Sequence, residues 1–392
     1  MKHYFLRHLS HHLLLAVLLF VGAMPASLAQ SYTVRENVEK GKAEMEKGFF
    51  EEALSYFNRA LMIDSRSEEA LFERGRAFWW MKKYDDALYD FQMALDIDPN
   101  RIDSYILMGT IYYEKKNYTD AIDKYNKALA LSPNYALAYN YRAECHKEMG
   151  LLNDALDDYN QAIRFEPNMA VLYFGRGQCN LELHNYEAAE SDFSQAMQLA
   201  PDQAHYLEER ISARFLKQDF VGTIEDLQGL KESFPALFET FHYGLLATSH
   251  GMLQNYPQAV EAVSVIIEKT PQEASYYAER ASYFKLMNQP DNALQDYLSI
   301  VALEPDNIMY LEAIGEMYAA QENLEQTLVY AQKIVDLQPE NAQAHYWIGW
   351  VFLRQGNPKT AKPVLVKAAQ LGYPKEKMEA SAQKLAKKGF SK

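Results

Sequence analysis

Alanines recur every 34 residues through the first half of this chain, at Ala53, Ala87, Ala121, Ala155 and Ala189. Each is followed four residues on by an aromatic (Phe57, Phe91, Tyr125, Tyr159, Phe193) and seven on by a second alanine (Ala60, Ala94, Ala128, Ala162, Ala196). Steps of four and three return to one side of an α-helix, so each triplet forms a stripe: its small residues admit a neighbouring helix and its aromatic fills the gap. Proline closes successive units at the same period, at Pro99, Pro133, Pro167, Pro201 and Pro235, because it cannot continue a helix. Four series in phase mark a stack of like units, none able to bury its apolar face alone. The length of 392 residues would otherwise read as two or three domains of roughly 150 residues each. The repeat overrules that count.

Segments such as YDDALYDFQMALDIDPN and YTDAIDKYNKALALSPN resemble the second helix and closing turn of the tetratricopeptide repeat, a family built of helix pairs. The first helices follow the same logic: Gly41, Gly75, Gly109 and Gly177 recur where paired helices would cross most closely, with Ala143 in the fourth unit. A helical glycine costs about 1 kcal/mol relative to alanine, so its recurrence points to a packing need. The resemblance implies an all-α fold, a right-handed solenoid of about ten helix-turn-helix units. The expected organisation is a signal peptide over 1–29, the solenoid over 30–373 and a capping helix with a basic tail over 374–392. The pattern blurs between 204 and 273: Thr223 and Leu230 replace small residues, and Ala259 follows Thr223 by 36 positions instead of 34. The extra residues are expected in the turn between helices of the seventh unit, near Gly251 and Pro257. Register returns with Ala293, Thr327 and Ala361. In the tail, Met378, Ala382 and Leu385 share one helical face, and a repeat array needs such a cap to cover its last stacking surface.

The N-terminus reads as an address. Lys2 and Arg7 precede an apolar run from Leu13 to Val21, then Pro25 and small residues up to Ala29, after which cleavage is expected. The other reading is a retained anchor, but nine consecutive apolar residues are about half of the roughly 20 that a spanning helix needs. This layout implies export to a periplasm, cell envelope or exterior.

Composition narrows the function. Lys plus Arg is 39 against 53 Asp plus Glu, a net charge of -14, which disfavours a nucleic-acid surface. The basic exception is 359–392, with nine lysines and two glutamates, read as solubility or as docking to an anionic surface. The sequence holds no HExxH, GxxxxGK[ST], GxSxG, EF-hand loop or GxGxxG turn, so no catalytic residue and no cofactor is expected. His146 and His345 fall at core or near-core positions, and His184 in a turn. His205, His242 and His250 cluster in the degenerate units, but without metal-ligand spacing they read as repeat decay. Cys145 and Cys179 stand 34 apart, at like positions of adjacent first helices. Packed helices about 8–10 Å apart are too distant for a disulfide, so two buried thiols are expected.

The inner surface of the solenoid is the remaining candidate. The resemblance places ligand contacts on the concave side of first helices, which here takes in Phe72, Arg76, Trp79, Ile106, Tyr113, Phe174 and Leu181, edged by Glu69, Asp103 and Glu144. Some of these, Phe174 especially, could instead pack between repeats. Trp80 follows Trp79 directly, so the two cannot share one face. The set of basic residues and asparagines with which some family members hold a terminal carboxylate is not matched: Val38 and Lys42 stand at its first positions, and Asn140 stands alone. The expected function is a non-catalytic envelope scaffold holding a protein or peptide segment. The competing expectation is glycan or peptidoglycan binding by the same aromatic and acidic face.

Overall fold

The computed structural model describes residues 26–387. The apolar stretch of the expected signal peptide lies outside the described residues. The chain divides into two compact units, 1–206 and 207–392. The first holds five helix pairs: Ala26–Glu46 with Phe50–Ile63, Glu68–Trp80 with Tyr84–Leu95, Ile102–Glu114 with Tyr118–Leu131, Ala136–Glu148 with Leu152–Phe165, and Ala170–Glu182 with Tyr186–Leu199. The sixth pair is Ala204–Leu216 with Phe220–Ser233, and four more follow: Thr240–Met252 with Tyr256–Lys269, Ala274–Leu286 with Pro290–Leu303, Ile308–Ala320 with Leu324–Leu337, and Ala342–Arg354 with Pro358–Gln370. A short helix, Ala380–Ala386, ends the described chain, and no strand occurs among the described residues. The architecture is an all-α solenoid.

The alanine-aromatic stripe is the core. Ala53, Phe57 and Ala60, and their counterparts through Ala189, Phe193 and Ala196, are buried almost without residue. The recurring glycines meet these aromatics: a Cβ at Gly75 would stand 2.8 Å from Phe91 Cε1, and one at Gly177 2.7 Å from Phe193 Cε1. The first helix can therefore approach its partner only where the side chain is missing. Each inter-helix turn contains one left-handed residue; in the first five units these are Gly48, Lys82, Lys116, Gly150 and His184. Such a residue frees the chain to reverse after a helix end. Proline turns are tied down as well: Tyr139 and Tyr173 donate their hydroxyls to the carbonyls of Pro133 and Pro167 at 3.2 and 3.0 Å. In the second unit Tyr277 does the same at Pro271, at 3.2 Å, and His345 takes that role at Pro339, its Nε2 2.8 Å from the carbonyl oxygen.

A second ladder runs between helices. Arg74 bonds Asp90, Arg142 bonds Asp158, Arg176 bonds Asp192, Arg210 bonds Asp226 and Arg280 bonds Asp296, always sixteen residues apart. The arginine stands on a first helix and the aspartate on the second helix of the same pair. Arg74, Arg142, Arg176 and Arg280 also donate to the second helix of the preceding pair, at Asn58, Asn126, Asn160 and Ser264. One planar fork thus bonds two other helices at once, which a lysine could not do. In some repeats the aspartate has a further donor: Asn180 reaches Asp192 at 3.0 Å and Arg214 reaches Asp226 at 3.1 Å, while half-buried His146 lies 3.1 Å from Asp158 without a hydrogen bond. Met108, Leu246, Ile314 and Ile348 replace the arginine elsewhere.

The extra two residues do not lie where the sequence pattern placed them. The turn Leu253 to Asn255 is three residues long, like Lys217 to Asp219 before it. The connection between repeats is longer instead: six residues, 234–239, separate Ser233 from Thr240, against four between Leu199 and Ala204. It winds into a 3-10 turn, Pro235–Leu237. Gly251 and Pro257 therefore absorb nothing. The register of the seventh first helix moves by two, so buried Ser249 takes the place that Cys145, Cys179 and Ala213 hold in the repeats before it. At the end of the chain Met378, Ala382 and Ala386 join the core cluster of Trp350, while Leu385 is only half-buried.

Candidate functional site

The first helices of the first unit carry the candidate site, and the structure rotates the expected stripe by one residue. A cleft of about 570 Å³ is lined by Lys42, Met45, Phe50, Glu73, Arg76 and Trp80, among others. On the helix Glu68–Trp80 its positions are 73, 76 and 80, spaced by three and four. The sequence pattern had placed 72 and 79 on this face, about 100° away around the helix. Phe72 is buried, with its ring 5.7 Å from Phe91 and the Arg101 guanidinium 3.7 Å above it. Trp79 is half-buried and packs on the same core, 4.9 Å from Trp80. Trp80 is the exposed member, at 54%, and lies parallel to Phe50 with ring centres 6.1 Å apart. Phe72 is thus a core residue, and Trp79 a half-buried neighbour of that core, where the sequence pattern expects both on the open face. The reason is packing: those positions face the partner helix and the next repeat, which must be filled before any ligand is met.

Of the other expected residues, Arg76 lines the cleft and bonds Glu73 at 2.9 Å. Glu69 is exposed and paired with Lys42. Ile106 is buried and offers no contact surface, whereas Asp103 is exposed. Tyr113 is half-buried, with its ring 5.5 Å from Tyr118. Burial, then the charges of Glu144 and Glu148, push its hydroxyl up to about 12. Glu144 accepts the Tyr159 hydroxyl and pairs with Lys147 at 2.8 Å, so internal partners occupy it. Phe174 packs among Phe193, His205 and Tyr206 at 5.9, 4.9 and 4.8 Å. Leu181 is half-buried. The structure brings Arg76 together with Lys42, Glu73 and Trp80; it does not join the expected residues into one strip.

The cleft is electrostatically mixed. Burial of Glu73 raises its carboxyl above the ordinary range, while Arg76 and Lys42 pull it back. Lys42, Lys47 and Arg76 face Glu46 and Glu73, so the site can meet either charge while its aromatics supply apolar surface. Among the described residues no group of three or more His, Cys, Asp or Glu is placed to hold a metal. His205 lies against Phe174, and His242 and His250 line different pockets of the second unit. Cys145 and Cys179 are free and buried, and burial pushes both thiols up to about 12. No described helix is long and apolar enough to cross a membrane.

Residues 109–150 match a model described as TPR repeat, 68–101 one described as tetratricopeptide repeat, and 146–204 with 319–369 another of that description. No curated protein matches the chain. Among solved structures it is similar to PilF of Pseudomonas aeruginosa, at 18% identity and a TM-score of 0.47, covering 53% of this chain and 94% of that one. It is also similar to MamA from Desulfovibrio magneticus RS-1, at 20% identity and a TM-score of 0.41 over 44% of this chain and 97% of that one. YrrB, described as a TPR protein with an unusual peptide-binding site, gives 21% and 0.40 over 46% and 96%. With helix pairs repeating at 34 residues, glycines seated on the aromatics of their partner helices and family matches in both units, the chain belongs to the tetratricopeptide repeat family.

Proposed function

We propose that this protein is a non-catalytic adaptor that holds a peptide or protein segment in the cleft between its first two helix pairs. Tetratricopeptide repeat proteins generally mediate protein–protein interaction, and no enzyme family is indicated. The observation that carries the proposal is Trp80: a large aromatic more than half exposed, backed by Phe50 and flanked by Arg76 and Lys42. Exposed aromatic surface beside charged groups is what interaction hot spots are made of. Because Phe50 already holds the indole, a partner orders little of the site on binding. The signal-like residues 1–29 support export, with the partner a component of the cell envelope.

The test is photocrosslinking from an envelope fraction with a photoreactive side chain at position 80, compared with one on the second-helix face at exposed Tyr89. A discrete protein captured only from position 80, and lost on Arg76→Ala, is the expected result. Polysaccharide recovered instead would favour the glycan reading, since an indole face beside carboxylates also suits a sugar ring. Equal capture from both positions would remove the cleft from consideration.

A further inference from the structure

The second unit has its own pocket, of about 320 Å³, lined by Glu208, Ser212, Leu237, Phe241, His242 and Leu245 among others. The two-residue insertion builds one side of it. The turn Pro235–Leu237 leaves Leu237 45% exposed at the rim and directs buried Phe238 onto the His242 ring, at 5.0 Å between centres. Phe241, 65% exposed, meets the same ring edge-on at 5.6 Å. His242 itself is only 7% exposed, so its orientation is fixed.

The protonation of that ring is fixed too. Nδ1 accepts the Glu239 backbone N–H at 2.9 Å, which leaves the ring proton on Nε2. Burial holds the imidazole below its ordinary range and so neutral, against the opposing charges of Glu208 and Glu239. The Nε2–H makes no hydrogen bond among the described residues: the carboxylate of Glu208, which lines the same pocket, is 3.9 Å away, beyond bonding reach. The ring is buried but its free N–H opens onto the pocket, so a group seated there can accept from it. Pocket and donor together present one N–H and one carboxylate side by side, rimmed by leucine and phenylalanine.

Few groups satisfy both. A lysine or arginine could pair with Glu208 but would turn donors toward Nε2–H. A carboxylate could accept from Nε2–H but would be repelled by Glu208, and an aliphatic side chain would leave both unmatched. A primary carboxamide has an acceptor and a donor on one carbon. We propose that this pocket binds the side chain of a glutamine on a partner segment. Its carbonyl accepts from His242 Nε2–H, its NH₂ donates to Glu208, and its methylene stem lies against Phe241 and Leu245. This site belongs to the second unit alone and does not depend on the cleft at Trp80.

Blocked tripeptides Ala-Xaa-Ala, with glutamine, glutamate, lysine or leucine at the centre, titrated into the full chain carrying ¹³C-methyl leucine, test the assignment. The glutamine peptide is expected to shift the Leu237 and Leu245 methyls and to bind at least fivefold tighter than the other three. Glu208→Ala and His242→Phe should each remove that preference, and Trp80→Ala should leave it intact. Because Glu208 is partly exposed, its variant keeps the test valid even where the histidine variant fails to fold. Preference for lysine would make the pocket a simple acidic site, and preference for leucine a simple apolar one. Either outcome, or the absence of shifts with every peptide, overturns the proposal.

Discussion

Glu73 is a carboxylate in the wrong environment. It is only 5% exposed, and its desolvation outweighs the attraction of Arg76, so its carboxyl is raised above the 4.5 of an exposed glutamate. A folded-state value above the unfolded one means that the folded chain binds the proton more tightly. Stability from this group is therefore complete below about pH 4.5 and is lost as pH rises through the folded value. Glu73→Gln is accordingly expected to raise the thermal midpoint at pH 7, with the gain vanishing near pH 4, as circular-dichroism melts at the two pH values would show. A lower midpoint at pH 7 would mean that the Arg76 bonds outweigh the burial. The same carboxylate lines the candidate cleft, which gives a physical reason for tolerating it there: a binding surface keeps groups that folding alone would discard.

Among the elements, the arginine-aspartate ladder is what the alanine pattern conceals. Its aspartates are almost fully buried, Asp158 at 3% and Asp90 at 1%, and such a pair stabilises only while both partners remain. In the fourth repeat Arg142 and His146 both stand against the Asp158 carboxylate, and Arg142 also donates to Asn126 of the third repeat. Asp158→Ala would strand the guanidinium against a dry surface, at a cost of roughly 2–4 kcal/mol, somewhat relieved by the partial exposure of Arg142. The expected sign is a lower urea midpoint with faster amide exchange in the fourth and fifth repeats, because the fork also grips the preceding second helix. Unchanged exchange would show that the alanine-aromatic core alone couples those repeats. Met108 in the third repeat shows the other solution, an apolar filling of the arginine's place, buried at 3%.

For the molecule as a whole, the ends matter because each repeat covers only its neighbours. Met378, Ala382 and Ala386 close the core that includes Trp347 and Trp350, and Glu379 accepts the Trp350 indole N–H at 3.0 Å. A chain truncated after Tyr373 would expose that apolar surface. It is expected to lose several degrees in thermal midpoint and to scatter light at concentrations where the full chain stays clear. Equal behaviour of the two chains would show that the last helix pair covers itself.

The sequence by itself determined the repeat, its period and its helix faces, because a 34-residue pattern of small and aromatic residues is set by the geometry of two packed helices and needs no distant partner. It also showed why the glycines recur, through the cost that only close approach offsets. The Arg–Asp spacing of sixteen was equally present in the sequence, but it joins two helices across a turn, and helical periodicity within one element does not reveal it. The site was less legible. Phe72 and Trp79 differ from Glu73 and Trp80 by one position, or about 100° of helix, and only the packing of neighbouring repeats decides which of them is covered. The two-residue insertion was visible as a count but not as a place. Tertiary structure put it at Pro235–Leu237, where it turns a degenerate stretch into a pocket around His242, because which groups line one cavity is decided by how the elements pack and not by their order in the chain.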